Sequence, residues 1–449
     1  MNSPKLASFP LSKALLVFLS LVLCSAAMHA GATQAPAPEA EDDWGDETWE
    51  EESSKPSISY HIEAGFGGFI HPNSYVKHHH SLSELRYRWE ATHYWGQTLG
   101  SVKADLTADN ITNKTTATLR ETFIALPIAS NVDVKLGRQI LTWGTGDLLF
   151  LNDMFPKDWV AFFSGRQLEY LKAPSDAVKV GVFSALANVD IIWTPVFDSD
   201  NYLTGQRFSF YNPLTDELYG APPELTALDP EKTFKHGEIA LRVYKTLNSQ
   251  EFALYGYKGF SKQPSAFDPD RMKPIFTKQQ VLGASWLSPF ANGLFNLEFA
   301  WHYSLNDKDG NDPFVPNSQF RYLVGYEKEV ISKVTTGIQL YVEATRNHSA
   351  LIQSSLNPEN KVEEYRTLST ARISYRLMQD KLRLSLFGYF SPSDKDHYWL
   401  PKANYRLNDR LSLEFGANIF GGEKPHTFFG QLEDNSNVYG RFRYSFSSN

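Results

Sequence analysis

The sequence predicts an all-β protein, a closed transmembrane antiparallel β-barrel of about 18 strands with a long inward-folding third loop. Three observations predict it. Many short segments alternate apolar and polar residues with a period of two. Short and long connections between those segments also alternate. The mean hydropathy is −0.36 although the chain has 31 Phe, 22 Tyr and 10 Trp, as expected when apolar residues line one face of many strands.

The beginning of the chain, residues 1–32, is predicted to be a Sec-type signal peptide. Lys5 and Lys13 precede the apolar run 14–23, which is too short to span a bilayer as a retained anchor. Bulky Leu23 before Cys24 disfavours the alternative of lipidation at that cysteine. Small residues follow, and the possible cleavage ends are Ala27, Ala30 and Ala32.

Residues 33–56 are predicted to form an acidic, disordered periplasmic arm. Between Glu39 and Glu52 there are nine carboxylates and no Lys or Arg, interleaved with Trp44 and Trp49. A solvated linker is one interpretation of this composition. The alternative is an arm whose two tryptophans bind a periplasmic partner or plug the pore.

The barrel itself is predicted over residues 57–449. In the segment 84–91, for example, Leu85, Tyr87 and Trp89 alternate with charged residues. The predicted strands are 57–69, 82–94, 98–108, 116–126, 131–141, 175–184, 188–197, 233–245, 250–259, 277–287, 293–304, 318–329, 334–346, 364–377, 380–390, 397–407, 410–420 and 437–446. The last of them resembles the C-terminal insertion signal of outer-membrane barrels, although three residues follow its aromatic Phe446.

The connection lengths predict the topology, because outer-membrane barrels alternate short periplasmic turns with longer extracellular loops. Counting in this way gives about 18 strands, an even number, and places both termini in the periplasm. It also assigns 165–172, which looks like a strand, to the third loop, 142–174. A 16-stranded barrel is the alternative.

The segment from Leu136-Gly137-Arg138-Gln139 through Trp143-Gly144 to Leu171-Lys172-Ala173-Pro174 is the most distinctive. Over roughly residues 131–200 the chain resembles a family of porin-like proteobacterial outer-membrane barrels of unassigned function, and more loosely alginate-export-type barrels. The resemblance implies a porin-like protein and leaves the substrate open.

The third loop is expected to narrow the lumen. Arg138 could point into this constriction and pair with loop carboxylates, and the resulting transverse field would select solutes by charge. Alternatively, these groups only attach the loop to the wall. The candidate constriction residues are Arg138, Asp147, Asp153 and Asp158.

Charged residues opposite the apolar strand faces are predicted to line the lumen, because an arginine at mid-membrane on the lipid face costs about 2–4 kcal/mol. Most of them are expected to form ion-pair ladders along the wall. They comprise Arg86, Arg88, Arg242, Arg321, Arg372, Arg376, Arg383, Arg441, Arg443, Glu84, Glu90, Glu238, Glu298, Glu327, Glu343 and Glu414.

The functional prediction is a passive porin-like channel for small polar or weakly anionic solutes, without cofactor, catalytic site or nucleic-acid partner. His71 and the run 78–80 lack the spacing of rigid metal ligands, so no metal site is predicted. The expected partners are membrane lipid, the barrel-assembly machinery and the solute. The alternatives are an export conduit for a polysaccharide or hydrophobic compound, which would use periplasmic partners, and a barrel enzyme.

Overall fold

The computed structural model describes residues 56–355 and 357–448. Eighteen strands form a single sheet. They are β1 Ser57–Phe69, β2 His80–Trp95, β3 Thr98–Asp109, β4 Lys114–Ala129, β5 Val132–Ile140, β6 Pro174–Val182, β7 Asn188–Thr194, β10 Glu238–Leu247, β11 Gln250–Phe260, β14 Lys278–Phe290, β15 Gly293–Ser304, β16 Gln319–Ile331, β17 Val334–Thr345, β18 Tyr365–Leu377, β19 Leu382–Ser391, β20 Asp396–Arg406, β21 Leu411–Gly422 and β22 Asn437–Ser448.

The sheet closes on itself. Each strand pairs antiparallel with its chain neighbours, and β1 pairs with β22 on one side and β2 on the other, with Tyr60 opposite both Phe446 and Trp89. β7 pairs directly with β10 across a long loop. Closure leaves no unpaired strand edge, which is what a lipid environment requires of a β structure.

Alternation along each strand produces an apolar outer face and a polar inner face. On the outer face the side chains of Leu254 and Phe415 are 63% and 60% exposed. On the inner face Glu63 and Arg88 are buried beneath other side chains. Because successive Cβ atoms point to opposite sides of a sheet, one strand supplies both surfaces.

The structure confirms all eighteen predicted strands, so the 16-stranded alternative is wrong. The eighth begins later than expected, at Glu238, because Phe234–His236 form a 3-10 turn. The predicted long connection 109–115 shrinks to 110–113 because β4 already begins at Lys114. The segment 165–172 belongs to the third loop, as predicted, and contains the 3-10 helix Leu168–Leu171.

The long connections all lie at one end of the barrel and carry the remaining elements. These are the α-helices Trp159–Ser164 and His348–Ser354, the 3-10 helices Pro358–Asn360 and Gly430–Asn435, and two hairpins formed by β8 Phe210–Asn212 with β9 Glu217–Tyr219 and by β12 Ala266–Asp268 with β13 Lys273–Ile275. No helix within the described residues is long and apolar enough to cross a membrane. The predicted signal peptide and all of the acidic arm except its last residue lie outside the described residues.

Candidate functional site

The third loop, here residues 141–173, crosses the inside of the barrel. Arg166 of the loop lies 2.7 Å from Glu84 on β2, while Asn152 donates to Glu298 on β15 over 2.8 Å. β2 and β15 are nine strands apart in the 18-stranded ring and therefore lie on opposite sides of the lumen. The loop thus spans the full width of the channel.

Apolar packing holds the loop against one wall. Leu151, Phe163 and other loop side chains join inward-facing aromatic residues in one buried cluster. The ring of Phe163 lies 5.4 Å from that of Phe420, and the ring of Phe162 lies 5.7 Å from that of Tyr398. Such edge-to-face contacts add to the burial of apolar area, so the loop has a packed core of its own.

Local signals build the helix Trp159–Ser164 within the loop. Asp158 caps its start by accepting a hydrogen bond from the Ala161 N–H at 2.7 Å. Gly165 ends it at φ 80°, where a Cβ would meet the Tyr439 ring at 2.2 Å. The Phe163 carbonyl near this end accepts hydrogen bonds from two wall residues, Asn418 at 2.9 Å and Asn437 at 3.1 Å.

Glu298 is the central attachment point on β15. Its buried carboxylate accepts hydrogen bonds from the backbone N–H groups of Thr145 and Gly146, from the Thr145 hydroxyl at 2.9 Å and from Asn152 Nδ2 at 2.8 Å. Gly144, at φ +88°, turns the chain so that these donors converge on one carboxylate. A buried charge satisfied by this many donors fixes the loop in one position.

Asp147 attaches the same segment to the neighbouring wall. It lies 2.8 Å from Arg372 on β18, and its backbone N–H and carbonyl bond the Gln339 side chain at 2.8 and 2.9 Å. The Tyr389 hydroxyl donates to the next carbonyl, that of Leu148, at 3.0 Å. Burial raises the pKa of Asp147, and Arg372 offsets this only in part.

The opposite attachment is a cluster of arginines around Tyr170. The guanidinium carbons of Arg86, Arg88 and Arg120 lie 3.8, 4.7 and 4.7 Å from the centre of its ring. The neighbouring Glu169 pairs with Arg88 at 2.9 Å. Although burial raises the pKa of Glu169, Arg88 and further arginines lower it to about 2. Glu169 is therefore ionised throughout the physiological range.

The next long loop, residues 195–237, supports the third loop from outside. Its Asp200 accepts hydrogen bonds from the Lys157 N–H and from Trp159 Nε1, both at 2.8 Å. The Asn201 N–H also donates to the Lys157 carbonyl at 2.8 Å. The loop 195–237 thus holds the third loop in place at Lys157 and Trp159.

The predicted pairing of Arg138 with the third-loop carboxylates is wrong. Arg138 lies 3.2 Å from Asp176 on the next strand, and its Nε donates to the Leu119 carbonyl at 2.9 Å. The strand's own alternation explains this position, because Arg138 follows Leu136 on the outer face while Gln139 is fully buried on the inner face. Arg138 therefore lies on the outside of the barrel, near its loop end.

The three predicted loop carboxylates have separate partners. Asp147 pairs with Arg372, as described above. Asp153 lies 3.0 Å from Lys157 and accepts a hydrogen bond from Thr142 at 2.8 Å. Asp158 caps the loop helix. The structure thus brings only Asp147 up to a charged wall residue of opposite sign.

The predicted lumenal charges lie on the inner face, and most form ion pairs there. Arg441 pairs with Glu414, Arg443 lies 3.1 Å from Glu63, and Arg321 lies 3.8 Å from Glu343. The other predicted members of this face are Glu84, Arg86, Arg88, Glu90, Glu238, Arg242, Glu298, Glu327, Arg372, Arg376 and Arg383. Trp44 and Trp49 of the arm lie outside the described residues.

A cavity of about 1500 Å³ lies between the third loop and the other long loops. Phe150 and Trp159 of the third loop form part of its lining. The charged wall residues Arg321, Glu343 and Arg366 line it as well, with Arg366 3.5 Å from Glu343. The cavity can hold a small solute between aromatic surface and fixed charges.

Several residues that position the loop were missed at the level of sequence. Gln339, Tyr389, Asn418 and Asn437 contact it only through the tertiary fold. The sequence around Asn418 could have indicated its role, because an amide on the inner face of a strand with few polar neighbours needs a hydrogen-bond partner inside the barrel. The sequence around Tyr170 gave no comparable indication that arginines surround its ring.

Comparison with known proteins gives similarity in fold alone. No family model matches the chain, and no curated protein matches its sequence. Among solved structures, OccK11 (OpdR) of Pseudomonas aeruginosa superposes with a TM-score of 0.51 at 8% identity, covering 88% of this chain and 96% of that one. OccAB1 of Acinetobacter baumannii gives 0.51 at 10% identity, with coverages of 88% and 96%. OccK3 (OpdO) of P. aeruginosa gives 0.51 at 10%, with coverages of 88% and 95%.

Proposed function

We propose that the protein is a passive, porin-like channel of the Gram-negative outer membrane for small polar or weakly anionic solutes. The observation that carries this proposal is a third loop that crosses a closed barrel with a charged inner face and is tied to both walls. Barrels of this strand number enclose an aqueous lumen, which such a loop narrows to a selective passage. The fold shared with OccK11 (OpdR), OccAB1 and OccK3 (OpdO) supports the proposal.

The outer surface suits a membrane. Near the short connections, the ring of Trp286 lies 5.6 Å from that of Phe295, and the ring of Phe290 lies 6.4 Å from that of Tyr326. At the loop end, Trp193 contacts Phe234. Aromatic girdles at both ends of an apolar band are typical of outer-membrane barrels. We assign the end with short connections and both termini to the periplasm.

The direct test is single-channel recording of the purified, signal-free chain in planar bilayers. A channel gives discrete conductance steps and a reversal potential in a salt gradient. Absence of steps from protein that is shown to be inserted and folded would overturn the proposal.

Selectivity is expected to depend on Arg372 and not on Arg138. Replacing Arg372 by Ala removes a lumenal positive charge beside the loop, so the anion-to-cation permeability ratio should fall. Arg138→Ala removes the same charge from the outer face and is the matched control, with an unchanged ratio expected. Reversal potentials measure both. An equal effect of the two substitutions on the permeability ratio would contradict the placement of Arg372 beside the passage and of Arg138 on the outer face.

Acidification is expected to make the channel more anion-selective. Asp147 has a raised pKa, so its carboxylate takes up a proton at a higher pH than an ordinary aspartate and the negative charge facing Arg372 is lost. Glu327, which also pairs with Arg372, keeps part of that charge compensated. Asp147→Asn should show increased anion selectivity at neutral pH and a smaller change on acidification. A variant with the wild-type pH dependence would exclude Asp147 as the titrating group.

A further inference from the structure

A row of alternating charges lines the cavity of about 1500 Å³ on the inner face of the barrel. Arg321 on β16 is directly opposite Glu343 on β17, which is in turn directly opposite Arg366 on β18. Arg366 continues the row to Asp394, 2.5 Å away in the connection between β19 and β20. Between 11% and 25% of each of these side chains is exposed. The row therefore presents donors and acceptors side by side to the cavity, with no net charge.

Three aromatic rings lie next to this row. The ring of Trp159 lies 6.2 Å from that of Phe150 and 6.0 Å from that of Phe428, and all three residues line the cavity. Arg366 connects the row to the rings, because its guanidinium carbon lies 5.9 Å from the centre of the Phe428 ring. Phe428 is still 37% exposed. Exposed apolar rings inside a cavity, with polar groups converging beside them, are typical of a ligand site.

The charges around the whole cavity are nearly balanced. Among the described residues that line it, there are eight Lys and Arg side chains and seven Asp and Glu side chains. Lys157 lies 3.0 Å from Asp153, and Lys262 pairs with Glu238 of the wall. The cavity therefore offers many polar groups but no marked surplus of either charge.

We propose that this cavity binds a neutral carbohydrate, a short oligosaccharide that then enters the passage. The inference rests on the proposed channel function and narrows its class of solute. A sugar ring has an apolar C–H face that packs on an aromatic ring, and hydroxyl groups that each donate and accept hydrogen bonds. The alternating row serves both roles of a hydroxyl group. The cavity is larger than the about 300–1,000 Å³ of typical small-molecule sites, so it has room for several sugar rings.

An anionic solute with an apolar face fits this site less well. It would pack on the Phe428 ring in the same way, but its charge would need a guanidinium of its own. Arg366 is already shared by Asp394 and by Glu343, which lies 3.5 Å away. Drawing Arg366 toward the solute would leave a partly buried carboxylate without its partner, which is costly. Charge balance thus favours the neutral sugar.

Binding to the purified protein tests the inference without reference to conduction. Maltotriose and cellotriose are neutral trisaccharides, and trigalacturonate is an anionic probe with the same number of rings. Titration calorimetry in a detergent without a sugar headgroup measures the three affinities. We expect at least one neutral trisaccharide to bind about tenfold more tightly than trigalacturonate. Equal or tighter binding of trigalacturonate, or no binding of either neutral trisaccharide, would overturn the proposal.

Substitutions of single aromatic residues locate the site. Phe428→Ala removes the exposed ring and should weaken binding of the neutral trisaccharide about tenfold, whereas Phe428→Trp should retain it. Phe234→Ala is the matched control, because this ring is 75% exposed and contacts Trp193 on the outer face. Its affinity should equal that of the wild type. An unchanged affinity in folded Phe428→Ala, or an equal loss in Phe234→Ala, would overturn the proposal.

Glu343→Gln tests the role of charge balance. The substitution gives the row a net positive charge and keeps an oxygen that accepts hydrogen bonds from the neighbouring arginines. The affinity for trigalacturonate should rise several-fold, and the affinity for the neutral trisaccharide should change less. Heat-modifiable migration on gels checks that the variant forms a barrel. A folded variant that binds trigalacturonate no better than the wild type would contradict selection by charge balance.

Current recordings separate this inference from the channel function. The neutral trisaccharide that binds, added on the loop side, should interrupt the current through the wild type, and the interruptions should be shorter in Phe428→Ala. Sugar binding by a folded protein that carries no current would reject the proposed channel and leave the sugar site in place. A normal ion current without sugar binding would reject only the sugar site.

Discussion

Replacing residues 144–171 by a short Gly-Ser linker is expected to raise the single-channel conductance several-fold. This segment crosses the lumen between β2 and β15 and carries the apolar cluster that fills it. Barrels with 16 to 18 strands leave an aqueous channel when nothing occupies their interior. Planar-bilayer recordings of the purified variant measure the conductance. Ion selectivity should also fall, because the replaced segment includes Asp147.

A suitable control removes loop mass outside the lumen. Deleting Asp270 and Arg271, exposed at the tip of the hairpin formed by β12 and β13, shortens a loop of the outer rim and should leave the conductance close to that of the wild type. Heat-modifiable migration on gels checks that both variants still form barrels. An unchanged conductance in a folded 144–171 variant would mean that the third loop does not limit the passage.

The strands could be predicted from sequence because period-two alternation is a local property. Residues 85–91 and 295–301 show it without reference to any other part of the chain. The order of the barrel follows as well, since each strand pairs with its chain neighbours and the count of connections fixes which loop is third. Sequence therefore defines the wall and the identity of the loop.

The choice of partners inside the lumen could not be predicted in the same way. Asn418 and Asn437 bond Phe163, which is 255 and 274 residues away in the chain. Nothing local specifies contacts over such separations, because they depend on how the loop packs once the barrel is closed. Arg138 is different: the apolar neighbours at Val134 and Leu136 already placed it on the outer face, and its charge alone suggested the lumen.

Glu298→Ala is expected to release the central part of the third loop from the wall. The substitution leaves the N–H groups of Thr145 and Gly146 and the Asn152 amide without their shared acceptor. One buried donor left unsatisfied costs about 1–3 kcal/mol, so the attachment should weaken by on the order of 3 kcal/mol. The population of the detached loop should then rise roughly a hundredfold. Recordings should show larger current noise and frequent transitions to a higher conductance.

Glu251→Gln is the control. Glu251 is also an inner-face carboxylate, but it pairs with Arg242 of the wall, 2.5 Å away, and not with the third loop. It should alter selectivity slightly and leave the noise unchanged. Glu298→Gln, which keeps one acceptor oxygen, should fall between the wild type and Glu298→Ala. Quiet, wild-type currents from Glu298→Ala would show that Asp147, Tyr170 and the packed aromatic cluster hold the loop without the carboxylate. The graded order across these variants therefore separates a single essential attachment from a distributed one.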